Sequence, residues 1–109
     1  MDEFVRVCEA ATIPPGHAAR VEIAGDAVAV FNVGGRFYAL DDTCSHALAS
    51  LSDGELDTDA CAIECPLHGS QFDLRSGEPR CLPAVDPVRT HQVEMRDGAL
   101  WVALSTEPV

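Results

Sequence analysis

Two short segments of this chain each combine one cysteine with one histidine. The first is Cys44-Ser45-His46, and after eighteen intervening residues the second is Cys65-Pro66-Leu67-His68. Each segment can present a thiolate and an imidazole from one tight loop. In a binuclear iron–sulfur centre, two cysteines can hold one iron and two histidines the other, and imidazole ligation raises the reduction potential. The pattern therefore predicts four metal ligands, which are Cys44, His46, Cys65 and His68.

Two other interpretations use the same residues. A zinc-binding interaction module takes the same ligand types, but its usual spacing pairs cysteine with cysteine and histidine with histidine. Buried thiols with unrelated histidines would not produce two matched loops, each followed by turn residues. The remaining cysteines, Cys8, Cys61 and Cys81, make the total odd in a chain without an export signal, which argues against a disulfide framework. They are predicted to behave as small hydrophobic residues.

The charge balance excludes several classes of partner. Seven arginines and no lysine face eighteen acidic residues, so the formal net charge of the 109 residues is −11. Nucleic acids and anionic membrane surfaces bind clustered basic residues, which this chain lacks. No apolar run approaches the length of a bilayer span, and the first residues lack the pattern of a signal peptide. We expect a cytoplasmic protein whose partners are basic.

Alternating apolar residues and turn residues predict an all-β chain. Two hairpins are indicated, one around Gly25-Asp26 and one around Asp97-Gly98, and Gly34-Gly35 marks a further turn. Trp101 is predicted to anchor the core. The predicted strands are Phe4–Cys8, Ala18–Ala24, Ala27–Val33, Arg36–Leu40, Ala60–Glu64, Gln71–Leu74, Arg80–Leu82, His91–Arg96 and Ala99–Leu104.

The spacing of these strands favours an antiparallel β-sandwich or barrel. Between residues 41 and 85 the chain is rich in glycine and proline and holds both Cys/His segments. We therefore expect one domain, 1–109, with an inserted loop-rich subdomain at about 41–85 that binds the metal.

The Cys/His segments and their surroundings resemble those of Rieske proteins. The resemblance covers nearly the whole chain, including the approach 37–43, the stretch Leu51–Gly54 after the first segment, and residues 72–78 after the second. Leu82-Pro83-Ala84 matches the third, proline-containing loop that covers the cluster in that family. The resemblance implies a Rieske fold and one [2Fe–2S] cluster, with the outer nitrogens of His46 and His68 at the surface.

Within that family, the chain resembles the small ferredoxins of ring-hydroxylating dioxygenases. Respiratory members join their cluster loops by a disulfide, which Ala49 and Leu67 preclude here. They also donate to cluster sulfur from a serine and a tyrosine, whereas this chain has Ser70 but Phe72. Fewer donors imply a potential at the low end of the Rieske range, around −150 mV.

The resemblance also implies a role for the protein. The chain is too short for the catalytic domain of a terminal oxygenase, so we expect a monomeric electron carrier and not an enzyme. Its implied partners are a flavoprotein reductase and a terminal aromatic-ring-hydroxylating oxygenase. Two alternatives are a Rieske ferredoxin of general metabolism or iron–sulfur assembly, and a small subunit resembling that of nitrite reductase.

Further residues are assigned supporting roles around the metal. Ser70 is a candidate donor to the cluster, and Leu48, Leu67, Phe72 and Pro83 are predicted to shield it from water. His17 and His91 are interpreted as surface or structural residues. Acidic residues crowd the same part of the chain and are expected either to dock basic partners or to form an ordinary solvated surface. They are Asp41, Asp42, Asp53, Glu55, Asp57 and Asp59.

Overall fold

Nine β-strands and two 3₁₀ turns form the regular structure of the part of the chain that the computed structural model describes, residues 3–44, 49–67, 69–80 and 86–105. The strands are β1 (Phe4–Glu9), β2 (Ala18–Ile23), β3 (Asp26–Val33), β4 (Arg36–Asp41), β5 (Glu55–Asp57), β6 (Ala62–Glu64), β7 (Gln71–Asp73), β8 (Thr90–Arg96) and β9 (Ala99–Ala103). The 3₁₀ turns are Ala10–Thr12 and Leu51–Asp53. None of the helical turns in these ranges is long and apolar enough to cross a membrane.

The strands form two antiparallel sheets. The larger sheet has the order β1-β9-β8-β4-β3-β2, and its two edge strands, β1 and β2, approach each other, so that it nearly closes into a barrel. The smaller sheet has the order β5-β6-β7 and lies between β4 and β8 in the chain. The predicted antiparallel β-sandwich or barrel is confirmed.

The hairpins follow from residues that accept a positive φ. Asp97 and Gly98 have φ values of 51° and 79°, as a two-residue turn of the predicted kind requires. The β2–β3 turn is displaced by one residue from the prediction. Ile23 pairs with Asp26, so the central residues are Ala24 and Gly25, with φ values of 51° and 88°. The register of the two strands overrides the preference of Ala24 for a negative φ.

Strand β3 separates two hydrophobic cores. Val28 and Val30 point into the barrel, where they join a cluster that includes Leu100 and Val102. Ala29 and Phe31 point to the opposite face and join a second cluster, which includes side chains of the small sheet. Because neighbouring residues of a strand face opposite sides, a strand covered on both faces is apolar where it is covered, as β3 is between its polar residues Asp26 and Asn32. We call these clusters the barrel core and the inter-sheet core.

The structure corrects two predictions in the stretch before Cys65. Strand β5 was not among the predicted strands, because Glu55 and Asp57 are polar and only Leu56 lies between them. Strand β6 begins at Ala62, two residues later than predicted. Cys61 therefore does not share a strand face with Ile63 and lies in a turn, with φ of 53°.

The prediction that Trp101 anchors the core was wrong. Its ring is half-buried on the outer face of β9, opposite Arg6 and Glu94 on the neighbouring strands. The guanidinium of Arg96 lies 5.1 Å from the Trp101 ring centroid and 4.9 Å from that of Phe4. The tryptophan takes this position because the strand alternation assigns Leu100 and Val102 to the barrel core.

Candidate metal centre

The two Cys/His segments lie in loops that are closed in the same way. In the first loop, Thr43 and Ser50 form an isolated antiparallel bridge, and the Cys44 N–H donates to the Ala49 carbonyl at 3.0 Å. In the second loop, Glu64 pairs with Gln71, and the Cys65 N–H donates to the Ser70 carbonyl at 2.7 Å. Each cysteine is thus the first residue of a loop whose backbone returns five residues later.

Both cysteine side chains are buried in the inter-sheet core. Cys44 is 4% exposed and Cys65 is 1% exposed. The predicted histidines, His46 and His68, follow two residues after Cys44 and three residues after Cys65, and both lie outside the described residues. Within the described ranges, no three His, Cys, Asp or Glu side chains form a metal-binding group. Two buried thiols at equivalent loop positions fit the sulfur half of a binuclear iron–sulfur centre.

The root of the first loop is held by Asp42. Its carboxylate is 2% exposed and accepts a hydrogen bond from the Ser52 N–H at 2.9 Å, while Arg20 lies 3.6 Å away. Its backbone N–H donates to the Ala27 carbonyl, and its carbonyl accepts from the Leu51 N–H. Asp42 therefore connects β3 in the barrel, the loop root and the 3₁₀ turn that follows the loop.

The segments that carry the two loops approach each other closely at Gly54. A Cβ atom placed on Gly54 would overlap the carbonyl oxygen of Glu64, the residue before Cys65. Only glycine permits the backbone to approach the second loop so closely. This contact sets the spacing between the two segments that carry the loops. The only sign of it in the sequence is the glycine that follows Ser52-Asp53.

The second loop stands on the small sheet. Ile63 on β6 pairs with Phe72 on β7, and both side chains are fully buried beside Cys65 in the inter-sheet core. At the far end of the loop, Gly69 has φ of 72°, which allows the sharp return that its position after the predicted ligand indicates. Ser70 is fully buried. The loop is therefore placed by apolar packing and by a short strand ladder.

Asp73 organises the turn that follows β7. Its carboxylate accepts hydrogen bonds from the backbone N–H groups of Arg75 and Ser76 at 2.8 and 3.2 Å and from the Arg80 guanidinium at 2.5 Å. Partial desolvation acts to raise the pKa of Asp73, but these bonds outweigh it and lower the pKa to about 2. Arg80 also donates its backbone N–H to the Gln71 carbonyl, so the chain is held against β7 as it enters residues 81–85.

The residues predicted to shield the cluster occupy different surroundings. Phe72 is fully buried next to Cys65, whereas Leu67 is 60% exposed. Leu67 is exposed because it lies beyond the end of the β6–β7 ladder, whose last pair is Glu64 and Gln71. Leu48 and Pro83, like Cys81, lie outside the described residues.

The acidic residues divide into two groups. Asp42 is buried at the loop root and Asp41 is engaged with Arg89, so neither is available to dock a partner. The other four are exposed, namely Asp53, Glu55, Asp57 and Asp59. Of the two histidines interpreted as surface or structural residues, His17 is exposed and His91 is buried.

Known proteins are similar to this chain in sequence and in fold. A Rieske [2Fe–2S] domain model matches residues 3–92. The 3-phenylpropionate/cinnamic acid dioxygenase ferredoxin subunit of Escherichia coli strain K12 is 44% identical over 100 residues, which are 92% of each chain.

Two solved structures have the same fold. The ferredoxin of carbazole 1,9a-dioxygenase from Nocardioides aromaticivorans IC177 matches with a TM-score of 0.90 and 38% identity, over 94% of this chain and 98% of that one. A chain in a complex of reduced oxygenase and oxidised ferredoxin of carbazole 1,9a-dioxygenase matches with a TM-score of 0.88 and 40% identity, over 98% of this chain and all of that one. With two buried cysteines at equivalent loop positions, an identity this high and a domain match that spans most of its length, this chain belongs to the Rieske [2Fe–2S] domain family.

Proposed function

We propose that this protein is the ferredoxin component of a ring-hydroxylating dioxygenase system. It takes single electrons from a flavoprotein reductase and delivers them to a terminal oxygenase, and it is an electron-transfer component without a catalytic site of its own. The observation that carries the proposal is the pair of buried cysteines at equivalent positions of two similarly closed loops, in a chain 44% identical to a dioxygenase ferredoxin subunit.

The proposed ligands are the thiolates of Cys44 and Cys65 and the imidazoles of His46 and His68. When bound, the [2Fe–2S] cluster supplies the one-electron couple. The chain contributes a water-poor site for the thiolate half, because both cysteines lie among apolar side chains of the inter-sheet core. We further propose that the whole chain is one domain, in which residues 41–85 form the cluster-binding subdomain.

The proposed path for electrons runs through the tip of the second loop. Leu67 and Gly69, which flank His68 in the chain, are both exposed. Electron exchange requires close approach of a partner, and an exposed tip beside a ligand permits it. We propose that the protein acts as a monomer, because a carrier with one cluster has to contact two partners in turn.

Metal analysis and voltammetry test the ligand assignment. The anaerobically purified protein is expected to contain equal amounts of iron and acid-labile sulfide and to show a reversible one-electron wave at the low end of the Rieske range, around −150 mV. Cys44→Ala and Cys65→Ala are expected to lose the iron, whereas Cys8→Ala and Cys61→Ala serve as matched controls that keep it. Zinc in place of iron would support the interaction module, and the absence of any cluster would support a subunit like that of nitrite reductase.

An exchange experiment tests the partners. The protein is added to the reductase and oxygenase of the Escherichia coli 3-phenylpropionate/cinnamic acid dioxygenase in place of that system's own ferredoxin subunit. We expect product formation from 3-phenylpropionate that requires the added chain. A cluster-loaded protein that neither accepts nor delivers electrons here would favour a Rieske ferredoxin of general metabolism.

The exposed acidic residues are the proposed site of electrostatic steering toward a basic partner. Reversing the charge of Asp53, Glu55 and Asp57 should slow reduction of the protein most at low ionic strength, because salt screens such attraction. Each reversal is made singly, and Glu22→Lys, on the barrel strand β2, is the control with the same change of two charge units. Equal effects of both changes would mean that the acidic surface is only solvated.

A further inference from the structure

A network of charged and polar groups joins the end of β4 to β8 and to the chain after β9. Asp41, the last residue of β4, accepts a forked pair of hydrogen bonds from the Arg89 guanidinium, from Nε to Oδ2 at 2.9 Å and from Nη2 to Oδ1 at 3.1 Å. The backbone N–H of Asp41 also donates to the Arg89 carbonyl at 2.9 Å. Forked bonds between guanidinium and carboxylate fix the relative orientation of the two groups as well as their distance.

His91 completes the network from a fully buried position. Its Nε2 lies 2.8 Å from Asp41 Oδ1, and its Nδ1 lies 2.9 Å from the backbone nitrogen of Ser105. Because a backbone N–H only donates, Nδ1 must accept, and the proton of the neutral ring therefore resides on Nε2 and points at Asp41. The buried imidazole thus has a defined tautomer and uses both of its nitrogens.

Ser105 is held through both of its backbone groups. Its N–H donates to His91, and its carbonyl accepts a hydrogen bond from Arg89 Nη1 at 3.0 Å. The network therefore connects β4, β8 and the segment after β9 in one closed set of bonds. Although partial burial acts to raise the pKa of Asp41, the bonds from Arg89 and His91 hold it below its usual value.

The network stands immediately before the first cysteine loop. Asp41 precedes Cys44 by three residues, and the next residue, Asp42, is anchored to the barrel through Ala27 and Arg20. Two consecutive aspartates thus attach the loop root to different sides of the barrel, Asp41 toward β8 and Asp42 toward β2 and β3. By contrast, the ion pairs Arg6–Glu9 and Arg96–Glu94 join exposed residues that are close in the chain, and neither pair positions a loop.

We propose that Arg89 and His91 are positioning residues for the first cysteine loop, acting through Asp41. The proposal rests on the proposed function, in which Cys44 and His46 of this loop bind the cluster. The network sets the direction in which β4 leaves the barrel, and this direction determines where Cys44 stands relative to Cys65 on the separate small sheet. Loss of the network is expected to change the surroundings of the cluster while the barrel remains folded.

The test compares His91→Phe and Arg89→Lys with wild type in the cluster-loaded protein. Phenylalanine keeps the size of the His91 ring without its hydrogen bonds, and lysine keeps the charge of Arg89 without its fork. Val102→Ala, in the barrel core away from both loops, is the control for lost stability, and His17→Phe is the control for the same change at an exposed site. All variants are measured well below their melting temperatures.

Two measurements separate positioning from stability. The first is hydrogen exchange at the backbone N–H groups of Cys44 and Leu51, which should be about fivefold faster in His91→Phe, the factor that corresponds to one lost hydrogen bond of about 1 kcal/mol. The second is the electron paramagnetic resonance spectrum and reduction potential of the cluster, which should shift in both variants. Arg89→Lys is expected to give the smaller shift.

Each outcome bears on a different claim. If His91→Phe changes local exchange, spectrum and potential no more than a Val102→Ala protein of similar melting temperature, the positioning role is refuted and the network only stabilises the fold. If wild type itself shows no Rieske spectrum, the proposed function fails instead. Shifts in His91→Phe and Arg89→Lys that are absent from Val102→Ala and His17→Phe establish the positioning role.

Discussion

The two cysteine loops are closed by the same backbone pattern but are supported in opposite ways. The first loop leaves a barrel strand and is held by carboxylates, through Asp41 to Arg89 and through Asp42 to Ser52. The second loop is the tip of a small hairpin and is held by the packing of Ile63 and Phe72. Both arrangements bring a buried cysteine into the same core.

The difference follows from where each loop starts. A three-residue strand such as β6 provides few ladder hydrogen bonds, so the second loop depends on the apolar face of its sheet. Among its described residues, the first loop has no strand pairing beyond the Thr43–Ser50 bridge, and directional polar bonds hold it instead. We therefore expect the second loop to be sensitive to the truncation of apolar side chains and the first to be sensitive to the removal of carboxylates.

Removing the ring of Phe72 should have the largest effect. Phe72→Ala opens a cavity between the small sheet and β3, and we expect the free energy of unfolding to fall by about 4 kcal/mol. Denaturant unfolding measures the change. Phe4→Ala, half-buried on the outer face of β1, is the control and should lose less than about 1.5 kcal/mol. Similar losses at both positions would show that the second loop does not depend on packing.

Adding one carbon to Gly54 tests the contact between the segments that carry the two loops. Gly54→Ala places Cβ against the Glu64 carbonyl, and we expect a loss of about 3 kcal/mol, because backbone on both sides must move. In Gly69→Ala no atom of the described residues beyond its chain neighbours lies within 4 Å of the new Cβ, and the φ of 72° is the unfavourable feature. That control should lose about 1 kcal/mol. Thermal unfolding measures both losses. A larger loss in Gly69→Ala than in Gly54→Ala would show that the contact of Gly54 with Glu64 is not tight.

Truncating a buried carboxylate tests the support of the first loop. Asp42→Ala leaves the Ser52 N–H without its acceptor and removes one of the two carboxylates near Arg20, and we expect the free energy of unfolding to fall by about 2 kcal/mol. Asp53→Ala, exposed in the following 3₁₀ turn, should change stability by less than about 0.5 kcal/mol. A small effect of Asp42→Ala in denaturant unfolding would mean that backbone bonds alone hold the loop root.

Acid should weaken the turn after the second loop through Asp73. Its pKa is lowered from 3.8 to about 2 on folding, so its contribution is complete above about pH 5 and disappears as pH falls through 3.8 toward 2. The contribution is at most about 2 kcal/mol, and salt reduces it. Asp73→Asn should therefore be less stable than wild type at neutral pH and nearly equal to it at pH 2. Parallel curves of stability against pH would show that Asp73 titrates normally.

Much of the barrel could be predicted from local patterns. The alternation in β2, β3 and β9 and the paired turn residues at Gly34-Gly35 and Asp97-Gly98 act over a few residues, so the sequence alone reveals them. Strand β5 escaped prediction because its strand state depends on pairing with β6. Trp101 was assigned to the core from its place in an apolar strand, whereas the face that it occupies is set by the register of β9 between β1 and β8.

The sequence by itself determined the identity of the proposed ligands and the fold class, because ligand chemistry depends on residue type and short spacing, and strand alternation is local. Only the tertiary structure decided what supports the two loops. Gly54 contacts Glu64, and Asp41 binds Arg89 and His91. The partners are far apart in the chain, so no local sequence pattern predicts these contacts. Such contacts depend on how whole sheets are placed, since a hydrogen bond or a steric contact requires an arrangement in space that neighbouring residues do not encode.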